Sequence, residues 1–213
     1  MDGQNFDPTH RWFDLCYRNQ IAINDAVAMG NQLVNAYEES HRHYHTIDHV
    51  YACLNLLDGL PLSGQSKDML EYAIWFHDAI YEPQSRDSEE KSALLAHDWL
   101  DKHGVIYAGE VKKIIELTAD YNQWRPTQET EQFFHDLDLA VLGSVHDIYQ
   151  EYAEDIRKEY WHLNDDDYTS GRVSFLENIM EKENIYQTEA FHSMFELSAR
   201  ENIHTELTEL LKK

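Results

Sequence analysis

The chain has 213 residues, of which 42% are hydrophobic and 27% charged, with only 8 glycines and 4 prolines. That suits a domain with its own core and excludes collagen-like, low-complexity and disordered classes. Its 40 acidic residues against 17 basic ones leave a formal net charge of -23, which argues against duplex DNA and anionic membranes as partners. A small anionic substrate stays compatible, because a bound metal ion or a few basic residues reverse the local field. No apolar run approaches the ~18 residues of a membrane span. Met1 to His10 lacks the basic and apolar regions of a secretory signal.

In chain order, the pattern from Pro8 to Glu39 has helical spacing interrupted only by Gly30. A helix from Thr46 to Leu57 follows, with Thr46 placed as its N-cap. Asp58 to Gly64 is a turn. Lys67 to Tyr81 reads as a third helix ended by Pro83, and Ser88 to His103 as a fourth stopped by Gly104. Gly109 to Tyr121, Glu129 to Leu142 and Ser144 to His162 read as three more. Tyr168 to Lys182 and Glu189 to Leu211 complete the set. No strand alternation and no hairpin turn appears. The expected fold is all-α, a single-domain helical bundle over residues 1–213. Cys16 and Cys53 fit no CxxC pattern and sit in apolar helical contexts. They are expected as buried free thiols, with a cytoplasmic location as the default.

Three places carry chemistry. Met69 to Tyr81 is apolar nearly all round, the mark of a buried central helix, yet it contains His77 and Asp78. A buried carboxylate is costly unless it is paired or holds a metal, so the pair is either a metal site or a helix-end cap. His45 and His49 lie four apart on one face. His49 shares its face with Cys53 and Leu56, and so points inward, whereas His41 and His43 fit a polar loop. In Asp136-Leu137-Asp138 the two acids face different ways. Asp138, with Phe134, Val141 and Leu142 as helical neighbours, is the buried candidate and Asp136 the solvated one. Two imidazoles and two carboxylates from three helices form a mixed nitrogen and oxygen set. Such a set suits one divalent ion, namely Mn, Fe, Co, Ni or Zn, or less well Mg.

The order His49, His77-Asp78, Asp138 on an all-α chain resembles the HD-domain superfamily of metal-dependent phosphohydrolases. The text around it is similar to one branch, the predicted metal-dependent HD phosphohydrolases. The matching stretches are Tyr44 to Val50, Phe76 to Tyr81, Asp87 to Ala93 (departing at Ser88) and Asp136 to Gly143. They span about residues 42–143, roughly half the chain. The resemblance implies His49, His77, Asp78 and Asp138 as metal ligands, with His45 beside the site or in contact with substrate. Nucleotidase relatives place a Glu three residues after the ligand Asp. Here that position is Tyr81, and the general base stays open between Glu82, Glu89 and Asp87. Asp87 reads equally as an N-terminal helix cap.

The activity implied is hydrolysis of a nucleotide or other phosphomonoester by metal-activated water. Arg42 and Arg125 are candidates to hold the phosphate, and Trp124 to stack on a base or pack on the rim. Two other readings remain. A di-iron oxygenase would use Glu38-x-x-His41, Glu201-x-x-His204, or His97 with His103. A non-catalytic module would bind metal or nucleotide without turnover. Tyr149, Tyr152, Tyr160 and Trp161 fit a core face or an interface, and a homodimer is a possible assembly.

Overall fold

The computed structural model describes residues 8–121 and 123–212, so most of the N-terminal stretch read above lies outside the described residues. Among those residues it is all-α, with no strand. The elements are α1 (Pro8–Arg18), α2 (Ile23–Tyr37), α3 (Ile47–Asp58), α4 (Gly64–Phe76), α5 (Ser88–Lys102), α6 (Ala108–Leu117), α7 (Glu129–Asp138), a 3-10 turn (Leu139–Gly143), α8 (His146–Glu159), α9 (Asp165–Met180) and α10 (Glu189–Leu210). No helix among the described residues is long and apolar enough to cross a membrane. They divide into two compact units, residues 8–40 with 45–116, and residues 41–44 with 117–212.

The first unit is built around α4. Every residue from Met69 to Phe76 is buried, as the all-round apolar pattern demands. Trp12 of α1 is the main partner, packing edge-on against Tyr72, Trp75 and Phe76. Its indole N–H donates to the Ala26 carbonyl at 2.8 Å. Gly30 explains why α2 approaches so closely: a Cβ there would lie 2.8 Å from Trp12 Cδ1. The break expected at Gly30 falls instead at residues 19–22, where Gln20 adopts a φ of 59°. Gly30 is a packing residue inside α2, and the single stretch from Pro8 to Glu39 is two helices. The one acid within the apolar run of α4, Glu71, is 2% exposed. It accepts from Arg11 Nη2 at 2.9 Å and Arg18 Nη2 at 2.8 Å, which offsets the cost of burying its charge.

The second unit wraps α10. The 3-10 turn lies against it so tightly that a Cβ on Gly143 would sit 2.5 Å from Phe195 Cβ and 2.7 Å from the Phe195 carbonyl oxygen. Asn202 of α10 donates to the carbonyls of Leu142 at 3.0 Å and Ser144 at 2.9 Å. The Tyr186 hydroxyl donates to the Leu139 carbonyl at 3.0 Å. Between α9 and α10, Arg172 forks onto Glu206 at 2.8 and 3.0 Å and donates to the Tyr152 hydroxyl at 3.0 Å. Tyr149 and Tyr152 are core residues, whereas Trp161 is 68% exposed.

Cys16 and Cys53 are buried free thiols, as expected. Burial pushes the Cys16 thiol up to about 12, and only the thiolate alkylates readily. Iodoacetamide near pH ~8 is therefore expected to spare Cys16 in the native chain and to label it in denaturant, read by peptide mass spectrometry. Gly143→Ala is expected to cost about 1–3 kcal/mol of stability, because the clash is partly with backbone and cannot be relieved by rotating a side chain. Urea unfolding of the two proteins measures it.

Candidate metal centre

The C-terminal end of α4 sets the geometry. The helix stops at Phe76, and His77 is its C-cap, with its N–H bonded to the Ala73 carbonyl. His77 and Asp78 thus follow the last turn of the buried helix, where the sequence pattern had placed them inside a helix running to Tyr81. The reason lies in the next segment. Ser92 Oγ accepts from the Ile80 N–H at 2.9 Å and donates to the Ile80 carbonyl at 3.1 Å. Ser88 Oγ accepts from the Glu82 N–H at 3.1 Å. These bonds satisfy backbone groups that a continued helix would have used. They also explain the two serines of the Asp87 to Ala93 stretch.

His77 is 1% exposed, and its Nδ1 lies 2.9 Å from the Ile74 carbonyl oxygen. A carbonyl only accepts, so the hydrogen sits on Nδ1 and Nε2 carries a lone pair. That Nε2 lies 3.2 Å from Nε2 of His49 and 3.1 Å from Oδ2 of Asp78. His49 comes from the first turn of α3 and is 5% exposed. As the shared helix face predicts, it meets Cys53, whose sulfur lies 3.9 Å from the imidazole nitrogens. Thr46 is the N-cap of α3, as expected, but makes no side-chain capping bond. His45 lies just before the helix, stacked on Tyr81 with ring centroids 4.4 Å apart. Its Nε2 is 4.0 Å from Asp78 Oδ2.

Asp138 is the last residue of α7. His49, His77 and Asp138 form a group that could hold a metal ion. Among the described residues no other His, Cys, Asp or Glu set of three or more does this. The donor set fits a cation. A lone-pair nitrogen facing a carboxylate oxygen at hydrogen-bond distance is repulsive unless a proton or a positive ion stands with them. Two imidazoles with carboxylate oxygen are the ligands that first-row divalent ions take.

The burial of the two acids of α7 is the reverse of the sequence expectation. Asp136 is fully buried, not solvated, and Asp138 is the less buried of the two. Asp136 accepts from the Gln187 N–H, the Thr188 N–H and the Thr188 hydroxyl, each at 2.7 Å. It therefore clamps the N-terminus of α10, whose N-cap is Thr188. His135 Nδ1 stands 3.1 Å from the same carboxylate. Only the tertiary fold shows this, since the clamp joins residues some fifty positions apart.

The other expected site residues are spread out. Glu82 is exposed, and Glu89 is half-buried in the first turn of α5. Asp87 holds the N-cap position without a capping bond and pairs with Ser85 and Lys91. Arg42 is 5% exposed, not a surface group. Arg125 is exposed and donates to the Trp124 carbonyl at 2.8 Å. Trp124 is 3% exposed, stacked on Tyr121 and Phe134, and so is no rim residue. His97 pairs with its neighbour Asp98 at 3.2 Å. His103 donates from Nδ1 to the Trp99 carbonyl at 2.6 Å. Two residues that sequence reasoning passed over bear on the site. Tyr121 donates its phenol hydrogen to Asp138 Oδ2. Glu159, fully buried, accepts the N–H groups of His43 and Tyr44 at 2.8 Å each. Neither has a local sequence signal, because each acts on a distant segment.

No protein-family profile, no curated protein and no solved structure matches this chain. Elemental analysis after incubation with Mn, Co or Ni is expected to find one divalent ion per chain. His77→Ala is expected to remove it, because that change deletes the nitrogen aimed by Ile74.

Proposed function

We propose that the protein is a metal-dependent phosphohydrolase that cleaves a small phosphorylated compound, a nucleotide or another phosphomonoester, at this centre. The observation that carries the reading is the buried His49 and His77 pair, with Nε2 atoms 3.2 Å apart and the Asp78 carboxylate 3.1 Å from the second. Burying such a set is costly without an ion to satisfy it. The His, His-Asp, Asp order supports the same reading through its resemblance to HD-type phosphohydrolases.

In this reading His49, His77, Asp78 and Asp138 hold the ion. When bound, the ion supplies positive charge for phosphoryl oxygens and an acidified water as nucleophile. The Ile74 carbonyl keeps His77 in the tautomer that presents Nε2, which leaves the imidazole no reorganisation to make on binding. His45 is only partly buried, and stacking on Tyr81 fixes its ring plane. In this reading its Nε2 donates a proton to the leaving oxygen. Glu82 and Glu89 flank the turn pinned by Ser88 and Ser92, and either carboxylate can accept a proton from water. The net charge of -23 would repel a phosphate elsewhere on the surface, so local positive charge decides where it binds.

The test is a screen of the Mn-, Co- and Ni-loaded chain against nucleoside monophosphates and p-nitrophenyl phosphate, following released phosphate. Metal-dependent release is expected. His45→Ala is expected to lower kcat by roughly 10²–10⁴-fold with metal content unchanged, whereas His77→Ala loses metal and activity together. Stoichiometric metal with no phosphate released from any of these compounds would sink the hydrolase reading.

A further inference from the structure

Asp138 ends α7 and is only half-buried. A carboxylate at such a position rotates about χ1 and χ2 unless something holds it, and a metal ligand needs a fixed orientation. Tyr121 supplies the restraint, since its phenol donates to Asp138 Oδ2. Tyr121 is itself held at two further points. Its ring stacks on Trp124, with centroids 5.2 Å apart and planes at 28°. Its carbonyl accepts from Lys182 Nζ at 2.5 Å. Trp124 in turn stacks on Phe134 at 6.4 Å and meets His135 edge-on at 5.2 Å. The stack is therefore seated on α7, the helix that carries Asp138. A buried Trp and a lysine from the end of α9 thus fix one phenol over one carboxylate.

We propose that Tyr121 is a positioning residue of the metal centre: its phenol holds the Asp138 carboxylate in the orientation that ligates the ion. This rests on the reading of His49, His77 and Asp138 as ligands. The bond removes rotational freedom that binding would otherwise have to freeze. Hydrogen bonds to ligating carboxylates recur in metal sites, and their loss weakens metal affinity by roughly 10–100-fold.

The experiment titrates the metal-free full chain with Co(II), following the visible absorption of the bound ion, and compares wild type with Tyr121→Phe, Trp124→Phe and Asp138→Asn. Tyr121→Phe keeps the ring stack and deletes only the hydroxyl. It is expected to raise the Co(II) Kd by roughly 10–100-fold and to change the absorption spectrum, with the melting temperature of the metal-free chain held. Trp124→Phe retains the phenol and loosens the stack. It is expected to lower the melting temperature and to raise Kd by less than Tyr121→Phe does, since Phe keeps an aromatic ring against Tyr121. Asp138→Asn is expected to abolish tight binding. If Tyr121→Phe binds Co(II) as tightly as wild type while Asp138→Asn does not bind, Tyr121 has no positioning role and the metal centre stands. If Trp124→Phe weakens binding as much as Tyr121→Phe, the effect is general loosening of this region and the proposal falls. If wild type binds no Co(II), both the metal centre and the role of Tyr121 are overturned.

Discussion

Two buried imidazoles and a half-buried carboxylate crowd together at the end of α4. Their nearest nitrogen and oxygen atoms lie 3.1 to 3.2 Å apart. The surroundings of α4 serve that arrangement. The regular helix ends at Phe76, with His77 as its C-cap still in the α region, so that the segment after it can leave the spiral. The Ile74 carbonyl must accept from Nδ1 so that Nε2 turns toward His49. The connection to α5 must then be satisfied by something other than helical bonds, and Ser88 and Ser92 do so. Trp12, Tyr72, Trp75 and Phe76 are each buried around the same helix. Low local polarity strengthens whatever electrostatic interaction is made there.

Acidity is the second theme, and the buried acids show how it is managed. Glu71, Asp136, Glu159 and Glu196 are each at most 8% exposed, in a chain whose formal charge is -23. Each is matched by donors rather than left to repel its neighbours. Glu71 takes two guanidiniums. Asp136 takes two backbone N–H groups and a hydroxyl. Glu159 takes two backbone N–H groups, and Glu196 takes those of Ile185 and Tyr186 together with Arg200. Charge-assisted bonds of this kind are stronger than neutral ones and directional. These carboxylates act as local fasteners for turns and helix starts. An acid in an apolar run is thus ambiguous in sequence, since Asp136 and Asp138 carry the same residue type two positions apart and do different work.

That ambiguity marks the limit of what could be read in advance. Helical periodicity, glycine punctuation and the absence of strand alternation identified an all-α chain, and most helix positions fell within a few residues of those observed. His49 was legible as inward-facing because Cys53 shares its face, and His77 because an apolar run surrounds it. These are consequences of neighbours along the chain, which the sequence contains.

What the sequence determined by itself was the helical class, the buried character of α4 and the residue types available for a cation. The tertiary structure alone decided which groups meet. It put the break in the first helical stretch at Gln20 rather than Gly30, and left Gly30 inside α2 where Trp12 leaves no room for a Cβ. It made Asp136 a clamp on α10, set Tyr121 on Asp138, and brought His49 and His77 together with their Nε2 atoms 3.2 Å apart. The physical reason is common to all of these. A helix pattern fixes the face a side chain lies on, through a period of about 3.6 residues, whereas contacts between distant segments depend on how whole helices pack, which no local pattern contains.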